Sequence, residues 1–118
     1  MPQLPLFVYG TLRRGESNHH FLQGRYDRWL PATLPDHVKR TAAHGYPLAA
    51  PQSGAQVDGE VFFIRPDVYA ATMARCDRLE DLPAGQLVGE YYQRARVIVR
   101  TDEGAVTAWA YTAPGDNS

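Results

Sequence analysis

Residues 6–15 constrain the fold of this chain more than any other segment. The apolar run over residues 6–9 predicts a short buried β-strand that ends at Gly10 and continues as a polar turn with two arginines. Glycine adopts backbone angles closed to other residues and lets a ligand approach the main chain closely. The N–H groups of Gly10, Thr11 and Leu12 would then form a pocket for a carboxylate or carbonyl oxygen. The segment therefore predicts either an ordinary first strand and turn or an oxygen-binding loop.

The composition is typical of a small soluble globular protein. The 118 residues, 44% hydrophobic and 21% charged, predict a single domain over residues 1–118 with a flexible tail at 114–118. A formal net charge of −1 provides no broad field to attract nucleic acid or an anionic membrane. The single cysteine, Cys76, excludes an internal disulfide and suits a reducing cytosol. We expect a cytoplasmic protein, because the first residues contain neither a signal peptide nor a membrane span.

Hydrophobic patterning predicts several short strands around one main helix. Residues 57–64 have the pattern of a strand, and residues 91–100 and 105–112 have the pattern of two strands joined by a hairpin loop. Four prolines interrupt residues 24–51, where we expect irregular chain with one or two short strands. These elements predict an α+β domain with a curved or closed sheet.

The predicted helix lies between Pro66, which suits a first helical position, and Pro83, which blocks continuation. One narrow sector of the helical wheel contains Tyr69, Met73, Cys76 and Glu80. Four charged residues lie off this sector, mostly on the opposite face: Arg75, Asp77, Arg78 and Asp81.

Glu80 is therefore a carboxylate on the core side of the helix, near its last turn. Burial is costly for a charge and raises the pKa of a carboxyl group, which suits proton transfer near neutral pH. The alternative is that the helix frays before Glu80 and the side chain reaches water. The wheel by itself leaves both interpretations open.

Four segments occur along the chain in this order: Tyr9-Gly10-Thr11-Leu12-Arg13-x-Gly15 with Asn18 and Leu22, Gly45-Tyr46-Pro47-Leu48, Asp77-Arg78-Leu79-Glu80, and Tyr92-Gln93-Arg94. Together they resemble the γ-glutamylcyclotransferase-like family, which includes the γ-glutamylamine cyclotransferases and the AIG2-like proteins. The resemblance covers residues 6–111 and implies a small mixed or antiparallel, barrel-like sheet with one main helix.

The resemblance implies an enzyme that releases 5-oxoproline and a free amine from a γ-glutamyl amine, amino acid or peptide. The substrate's own α-amine attacks its γ-carbonyl, and Glu80, at the position of the family's general base, would serve as base and then as acid. Backbone N–H groups of the loop from Tyr9 to Leu12 would bind the carboxylate or the developing oxyanion. The resemblance implies no metal, no cofactor and no covalent enzyme intermediate, and a monomer or homodimer.

Supporting substrate contacts are expected from Tyr92, Tyr111 and Arg94. The two tyrosines match family positions, and either hydroxyl could bind substrate or Glu80, or simply belong to a half-buried strand residue. Arg94 could pair with a substrate carboxylate or form a structural salt bridge. Residues 81–91 are longer than the link in short family members, so we expect a flexible loop that could place Tyr91 in the role of Tyr92.

The remaining reactive side chains predict no further chemistry. The four histidines, His19, His20, His37 and His44, lack zinc-site spacing and are expected on the surface or in loops. Cys76 lies on the apolar stripe of the helix and is expected to be an inert core thiol. A second class of function stays open, namely a non-catalytic module that binds a small carboxylate or amine metabolite in the same loop and pocket.

Overall fold

Five strands close into a small barrel in the computed structural model of this chain, which describes residues 3–42 and 44–115. The main elements are, in chain order, β1 (Leu6–Val8), β2 (Tyr26–Thr41), β3 (Pro47–Ile64), α1 (Tyr69–Leu79), β4 (Gln93–Thr101) and β5 (Gly104–Thr112). Short 3₁₀ turns at His19–Phe21 and Pro66–Val68 precede β2 and α1. The expected α+β class, with a mixed barrel-like sheet and one main helix, is confirmed. Of the expected flexible tail, residues 116–118 lie outside the described part of the chain.

β1 closes the barrel because it pairs with a strand on each side. It runs antiparallel to β3, with Phe7 opposite Val61, and parallel to β5, with Phe7 opposite Ala110. All three residues of β1 are buried. Phe7 packs with side chains from the barrel interior, whereas Leu6 and Val8 pack with the side chains of α1 on the other face. An apolar run is what a strand between two cores requires.

The β2–β3 hairpin contradicts the expectation of irregular chain over residues 24–51. The two strands pair along most of their length, although both contain prolines. The register shifts between Pro35 and His37, where Asp36 takes a positive φ of 57° and its carboxylate accepts a hydrogen bond from the Gly54 N–H at 3.1 Å. The prediction was wrong because proline is tolerated at irregular positions and at ladder sites that need no donor.

The bend at Asp36 turns the outer part of the hairpin over one end of the barrel. There Ala49 lies opposite Thr112 at the end of β5, and the Ala49 carbonyl accepts a hydrogen bond from the Ala113 N–H at 2.9 Å. We call residues 44–51 the hairpin tip. Because β1 and β5 are parallel, the tip covers the barrel end at which both of them finish.

α1 follows the 3₁₀ turn that Pro66 starts and ends one residue before Glu80. Met73 and Cys76 are buried, as the helical wheel predicts. The Glu80 N–H donates to the Cys76 carbonyl at 3.1 Å, so the last turn of the helix holds the Glu80 backbone. Within the described residues, no helix has the length and apolar composition needed to cross a bilayer.

Candidate active site

A cavity of about 280 Å³ lies at the barrel end beneath the hairpin tip. Seven of the eight site residues predicted from the sequence line it: Tyr9, Gly10, Thr11, Leu12, Glu80, Tyr92 and Tyr111. The eighth, Arg94, is not among the described residues that line the cavity. Small-molecule sites usually measure about 300 Å³ or more, so this cavity suits a small ligand.

The loop after β1 uses its carbonyl groups internally. The Gly10 carbonyl accepts a hydrogen bond from the Arg13 N–H at 3.2 Å, and the Thr11 carbonyl accepts one from the Asn18 N–H at 2.9 Å. The Asn18 side-chain amide also donates to Thr11 Oγ1 at 2.9 Å. Within the described residues, the N–H groups of Gly10, Thr11 and Leu12 donate no hydrogen bond. The loop therefore has free donors on a cavity wall, an arrangement that suits a carboxylate or an oxyanion.

His19 supports this loop, a role that its spacing from the other histidines did not reveal. Its Nδ1 lies 2.9 Å from the Leu12 carbonyl, and its Nε2 lies 3.2 Å from the Tyr26 hydroxyl. Since a carbonyl only accepts, Nδ1 carries the proton and Nε2 accepts from the tyrosine. The ring therefore holds the Leu12 carbonyl against the base of the loop.

Gly10 does not use the conformational freedom expected of it. The glycine of this motif with a positive φ is Gly15, at 82°, whereas Gly10 lies outside that region. A Cβ on Gly10 would stand 3.5 Å from Pro47 Cγ. The expectation of unusual backbone angles is therefore wrong, and the missing side chain instead keeps open the space between the loop and the hairpin tip.

Glu80 lies on the cavity wall at the end of α1. Burial, with a smaller contribution from the negative charge of Asp81, raises the pKa of the Glu80 carboxyl from 4.5 to about 7. Within the described residues, no hydrogen bond or ion pair engages this carboxylate. A half-buried, unpaired carboxyl group with this pKa can accept and return a proton near neutral pH.

Tyr9 and Tyr92 use their hydroxyl groups to hold the hairpin tip. The Tyr9 hydroxyl donates to the Tyr111 carbonyl and accepts a hydrogen bond from the Ala49 N–H at 3.0 Å. The Tyr92 hydroxyl donates to the Pro47 carbonyl at 2.5 Å. Burial raises the pKa of both tyrosines far above the ordinary value, so both hydroxyls stay protonated. Their rings line the cavity, while their hydroxyls join the tip to the barrel.

Asp77 contacts side chains of the barrel, although the helical wheel placed it off the apolar sector. Its Oδ1 accepts a hydrogen bond from the Tyr111 hydroxyl at 2.7 Å and lies 3.4 Å from Arg94 Nε. The guanidinium of Arg94 also lies 4.8 Å above the Trp109 ring. The hydrogen bond from Tyr111 in β5 and the positive charge of Arg94 in β4 thus replace the water that this carboxylate would otherwise need. Of the two interpretations of Arg94, the structural salt bridge describes its observed contacts.

His37 lies elsewhere than expected, whereas His44 is in the loop between β2 and β3, as expected. His37 is only 2% exposed, and its Nδ1 lies 2.9 Å from the Pro35 carbonyl. His44 lines the cavity, where its ring contacts Tyr91 and Tyr92 with centroid distances of 4.6 and 5.4 Å. The ring contacts of His44 join the β2–β3 loop to residues just before β4, so no local spacing could have indicated them.

Residues 81–91 are hydrogen-bonded to the start of β4, and Asp81 and Tyr91 from this segment line the cavity. The Gly89 N–H donates to the Tyr92 carbonyl at 2.8 Å, and the Leu87 carbonyl accepts from the Arg94 N–H at 2.7 Å. A Cβ on Gly89 would stand 2.8 Å from the Asp81 carbonyl oxygen, which explains the glycine there. Both Tyr91 and Tyr92 line the cavity.

The remaining reactive groups are the possible metal ligands and the thiol of Cys76. Within residues 3–42 and 44–115, no cluster of His, Cys, Asp and Glu side chains is arranged to hold a metal ion. Cys76 is fully buried, and burial raises the pKa of its thiol to about 12, so the thiol stays protonated.

Sequence comparisons identify relatives along almost the whole chain. Residues 6–118 match the family model described as γ-glutamyl cyclotransferase, AIG2-like. The Drosophila melanogaster protein named "Putative gamma-glutamylcyclotransferase CG2811" is 30% identical over 115 residues, covering 90% of this chain and 67% of that protein. The Vibrio cholerae protein named "Putative gamma-glutamylcyclotransferase" is 37% identical over 106 residues, covering 90% of this chain and 78% of that protein.

Solved structures share the same fold. YkqA from Bacillus subtilis superposes with a TM-score of 0.69 at 26% identity, covering 93% of this chain and 35% of YkqA. This chain thus spans about a third of YkqA. A structure named γ-glutamyl cyclotransferase superposes with a TM-score of 0.61 at 18% identity, covering 93% of this chain and 66% of that protein. At that identity the likeness shows the fold alone.

Proposed function

Because this chain belongs to the γ-glutamyl cyclotransferase, AIG2-like family, we propose that it releases 5-oxoproline and a free amine from a γ-glutamyl compound. Glu80 is the general base and then the general acid of this reaction. One observation carries the proposal: an unpaired carboxyl group with a pKa of about 7 shares a small cavity with the free N–H groups of a loop.

The reaction moves two protons from the α-nitrogen to the departing nitrogen and needs no nucleophile from the protein. Glu80 takes a proton from the substrate's α-ammonium, and the freed nitrogen attacks the γ-carbonyl carbon of the same molecule. The tetrahedral intermediate collapses when its C–N bond to the leaving group breaks. That nitrogen takes the proton from Glu80, which as a carboxylate again accepts the second proton of the ring nitrogen and returns it to the departing amine. The amine leaves as an ammonium ion, and the closed ring is 5-oxoproline. A single carboxyl group thus serves both steps and ends in its starting state.

The loop supplies the electrostatic part of the mechanism. The N–H groups of Gly10, Thr11 and Leu12 bind either the substrate's α-carboxylate or the negative oxygen of the tetrahedral intermediate. When the glutamyl chain is held folded, the α-amine has a large effective concentration beside the γ-carbonyl. The remaining catalytic groups then have less of the activation barrier to lower.

A non-catalytic module that binds a small carboxylate or amine is the second candidate, since a fold can persist without its chemistry. The same loop and cavity would serve it. The unpaired carboxyl group of Glu80 favours the enzyme, because a receptor for a carboxylate gains nothing from a second negative charge in its pocket.

The test is release of 5-oxoproline from a panel of γ-glutamyl amines, amino acids and peptides. We expect the wild type to release it, with kcat/KM rising as the pH passes about 7 because the base must be deprotonated. Glu80→Gln should lower kcat by a factor of roughly 10²–10⁴, the usual size of general acid–base catalysis.

Glu90→Gln is the matched control, because Glu90 is an exposed glutamate near the same site. It should keep wild-type rates. Equal turnover by the wild type and by Glu80→Gln would remove Glu80 from its proposed role. Binding of these compounds without any turnover would make the binding module the better description.

A further inference from the structure

His44 lies within a cluster of aromatic rings on the cavity wall. Its ring centroid lies 4.6 Å from that of Tyr91, 5.4 Å from that of Tyr92 and 5.6 Å from that of Tyr46. All four residues line the cavity. We call them the aromatic corner. None of the catalytic steps proposed above uses the imidazole of His44.

The hydrogen bonding of His44 defines its tautomer. The Tyr46 N–H donates to His44 Nδ1 at 3.2 Å, so Nδ1 is an acceptor and carries no proton. In the neutral ring the proton then resides on Nε2, which becomes a donor. Nε2 is buried, and it has no hydrogen-bond partner within the described residues. A buried N–H without an acceptor is unfavourable, so an acceptor oxygen that reaches Nε2 when the exposed rings of Tyr46 and Tyr91 shift is stabilised there.

The aromatic corner adjoins the carboxyl group of Glu80. The negative charge of Glu80 contributes, after burial, to the raised pKa of Tyr92, which belongs to the corner. A glutamyl group held by the loop amides and Glu80 thus leaves the corner for the part of the substrate that departs. Tyr46 and Tyr91 are 59% and 37% exposed, so their rings have room to shift on the solvent side when a ligand enters.

The charged residues that line the cavity restrict the kind of hydrogen-bond acceptor that a substrate can place beside His44. Among the described lining residues the carboxylates are Glu80 and Asp81, and neither lysine nor arginine lines the cavity. A second carboxylate on the substrate would meet two negative charges with no cation to balance them. A neutral oxygen, such as an amide carbonyl, meets no such repulsion.

We propose that His44 is a specificity residue whose Nε2–H donates a hydrogen bond to a neutral acceptor oxygen on the departing amine. This inference rests on the proposed function. The expected substrates have a γ-glutamyl group joined to an amine that carries a carbonyl or similar neutral oxygen. Beside that oxygen the amine has a small apolar portion, which contacts the rings of the aromatic corner.

Four γ-glutamyl conjugates of similar size test it: those of glycinamide, isobutylamine, glycine and 1,3-diaminopropane. They present a neutral carbonyl, no polar group, a carboxylate and a cation, respectively. We expect the wild type to favour the glycinamide conjugate over the isobutylamine conjugate by about tenfold or more in kcat/KM, since a donor left unpaired rejects the apolar analogue.

His44→Phe keeps a ring in the corner but removes the donor. It should lower kcat/KM for the glycinamide conjugate by roughly 10- to 100-fold, and leave the isobutylamine conjugate within about twofold of wild type, because that substrate never used the bond. Turnover of the isobutylamine conjugate also shows that the variant is folded. His44→Gln keeps an N–H donor and should recover part of the loss. His20→Phe, at an exposed histidine, is the matched control and should change none of the four values.

Each other outcome overturns the inference. If His44→Phe lowers all four values equally, His44 has only a structural role. If it selectively lowers the value for the glycine or diaminopropane conjugate, the acceptor chemistry proposed here is wrong. If the wild type releases 5-oxoproline from none of the four or of the wider panel, the proposed function fails and this inference fails with it.

Discussion

The two walls of the cavity are held by contacts of different range. In the loop wall, residues 10–19, most side-chain hydrogen bonds join residues three to seven positions apart, such as Asn18 with Thr11, while the Arg14 N–H also donates to the Glu60 carboxylate in β3. In the hairpin tip, the hydroxyls of Tyr9 and Tyr92 reach partners 40 and 45 positions away. The loop wall is therefore held mainly within its own segment, whereas the tip wall exists only once the barrel has closed.

This difference parallels the division of labour that we propose for the site. The local loop wall binds the glutamyl group, which is common to all substrates of this chemistry. The long-range tip wall contributes His44 and Tyr46, which would contact the departing amine. A change in the bend or the tethers of the hairpin would then alter substrate preference while the loop chemistry stays the same.

The largest effect is expected from Tyr9→Phe, which removes the main tether of the tip. The change leaves the Ala49 N–H and the Tyr111 carbonyl without their buried partner, so we expect a loss of about 2–4 kcal/mol in the free energy of unfolding. Urea denaturation measures it. Tyr46→Phe, at a side chain that is 59% exposed, should cost less than about 0.5 kcal/mol. Similar losses in both variants would refute the tether.

The second effect concerns Glu80, which lies between the two walls. Its pKa is about 7 in the folded protein against 4.5 for an unperturbed glutamate. Between these values the folded state binds more protons than the unfolded state, so the free energy of unfolding falls as pH rises from 4.5 to 7. Over this pH range we expect the free energy of unfolding of the wild type to fall by about 1–3 kcal/mol more than that of Glu80→Gln, because the glutamine has no proton to release.

Urea denaturation of both proteins at intervals from pH 4 to 8 measures this difference. Titrations of all other groups are common to both proteins and cancel. Parallel curves across the whole range would show that the pKa of Glu80 is the same in the folded and unfolded states.

Tyr92→Phe sharpens the comparison because it removes the second tether without emptying the cavity. Loss of the bond to the Pro47 carbonyl should cost about 1–2 kcal/mol. Amide hydrogen exchange should accelerate at tip residues such as Ala49 and stay unchanged at the Asn18 N–H in the loop wall. Equal acceleration in both walls would show that they unfold as one unit.

Asn18→Ala should have the smallest effect on stability. It removes the bond to Thr11 Oγ1 in the partly buried loop, at a cost of about 0.5–1 kcal/mol. Release of 5-oxoproline should nevertheless fall by roughly tenfold, because the loop N–H groups lose their fixed position. Ser17→Ala, at the exposed neighbouring residue, should change neither stability nor turnover. An unchanged rate in Asn18→Ala would mean that this side chain does not position the loop.

Local patterns predicted the elements that depend on local physics. Alternation predicted the β4–β5 hairpin, and the helical wheel predicted that Met73 and Cys76 are buried. The apolar run in β1 predicted burial on both faces. In each case the periodicity of one segment is enough, because the side chains that share one face of a helix or strand recur at a fixed spacing along the chain.

The predictions that failed concern contacts between distant segments. The wheel placed Asp77 off the apolar sector and gave no sign of its contacts, because it contains no information about Arg94 in β4 and Tyr111 in β5. The prolines of β2 and β3 indicated irregular chain. The prediction failed because whether a proline fits depends on the hydrogen bonds that its position makes with the partner strand, which the local sequence does not show. No spacing within the chain could show that the bend at Asp36 carries His44 to the cavity.

The amino-acid order alone was thus sufficient for β1, for the apolar face of α1 and for the family resemblance, since each depends on neighbours within a few residues, whereas it left open whether Glu80 is buried. The folded barrel was needed to bring Glu80, the loop amides and the hairpin tip around one cavity. Burial in that cavity, which no short segment can provide, is also what raises the pKa of Glu80 to about 7.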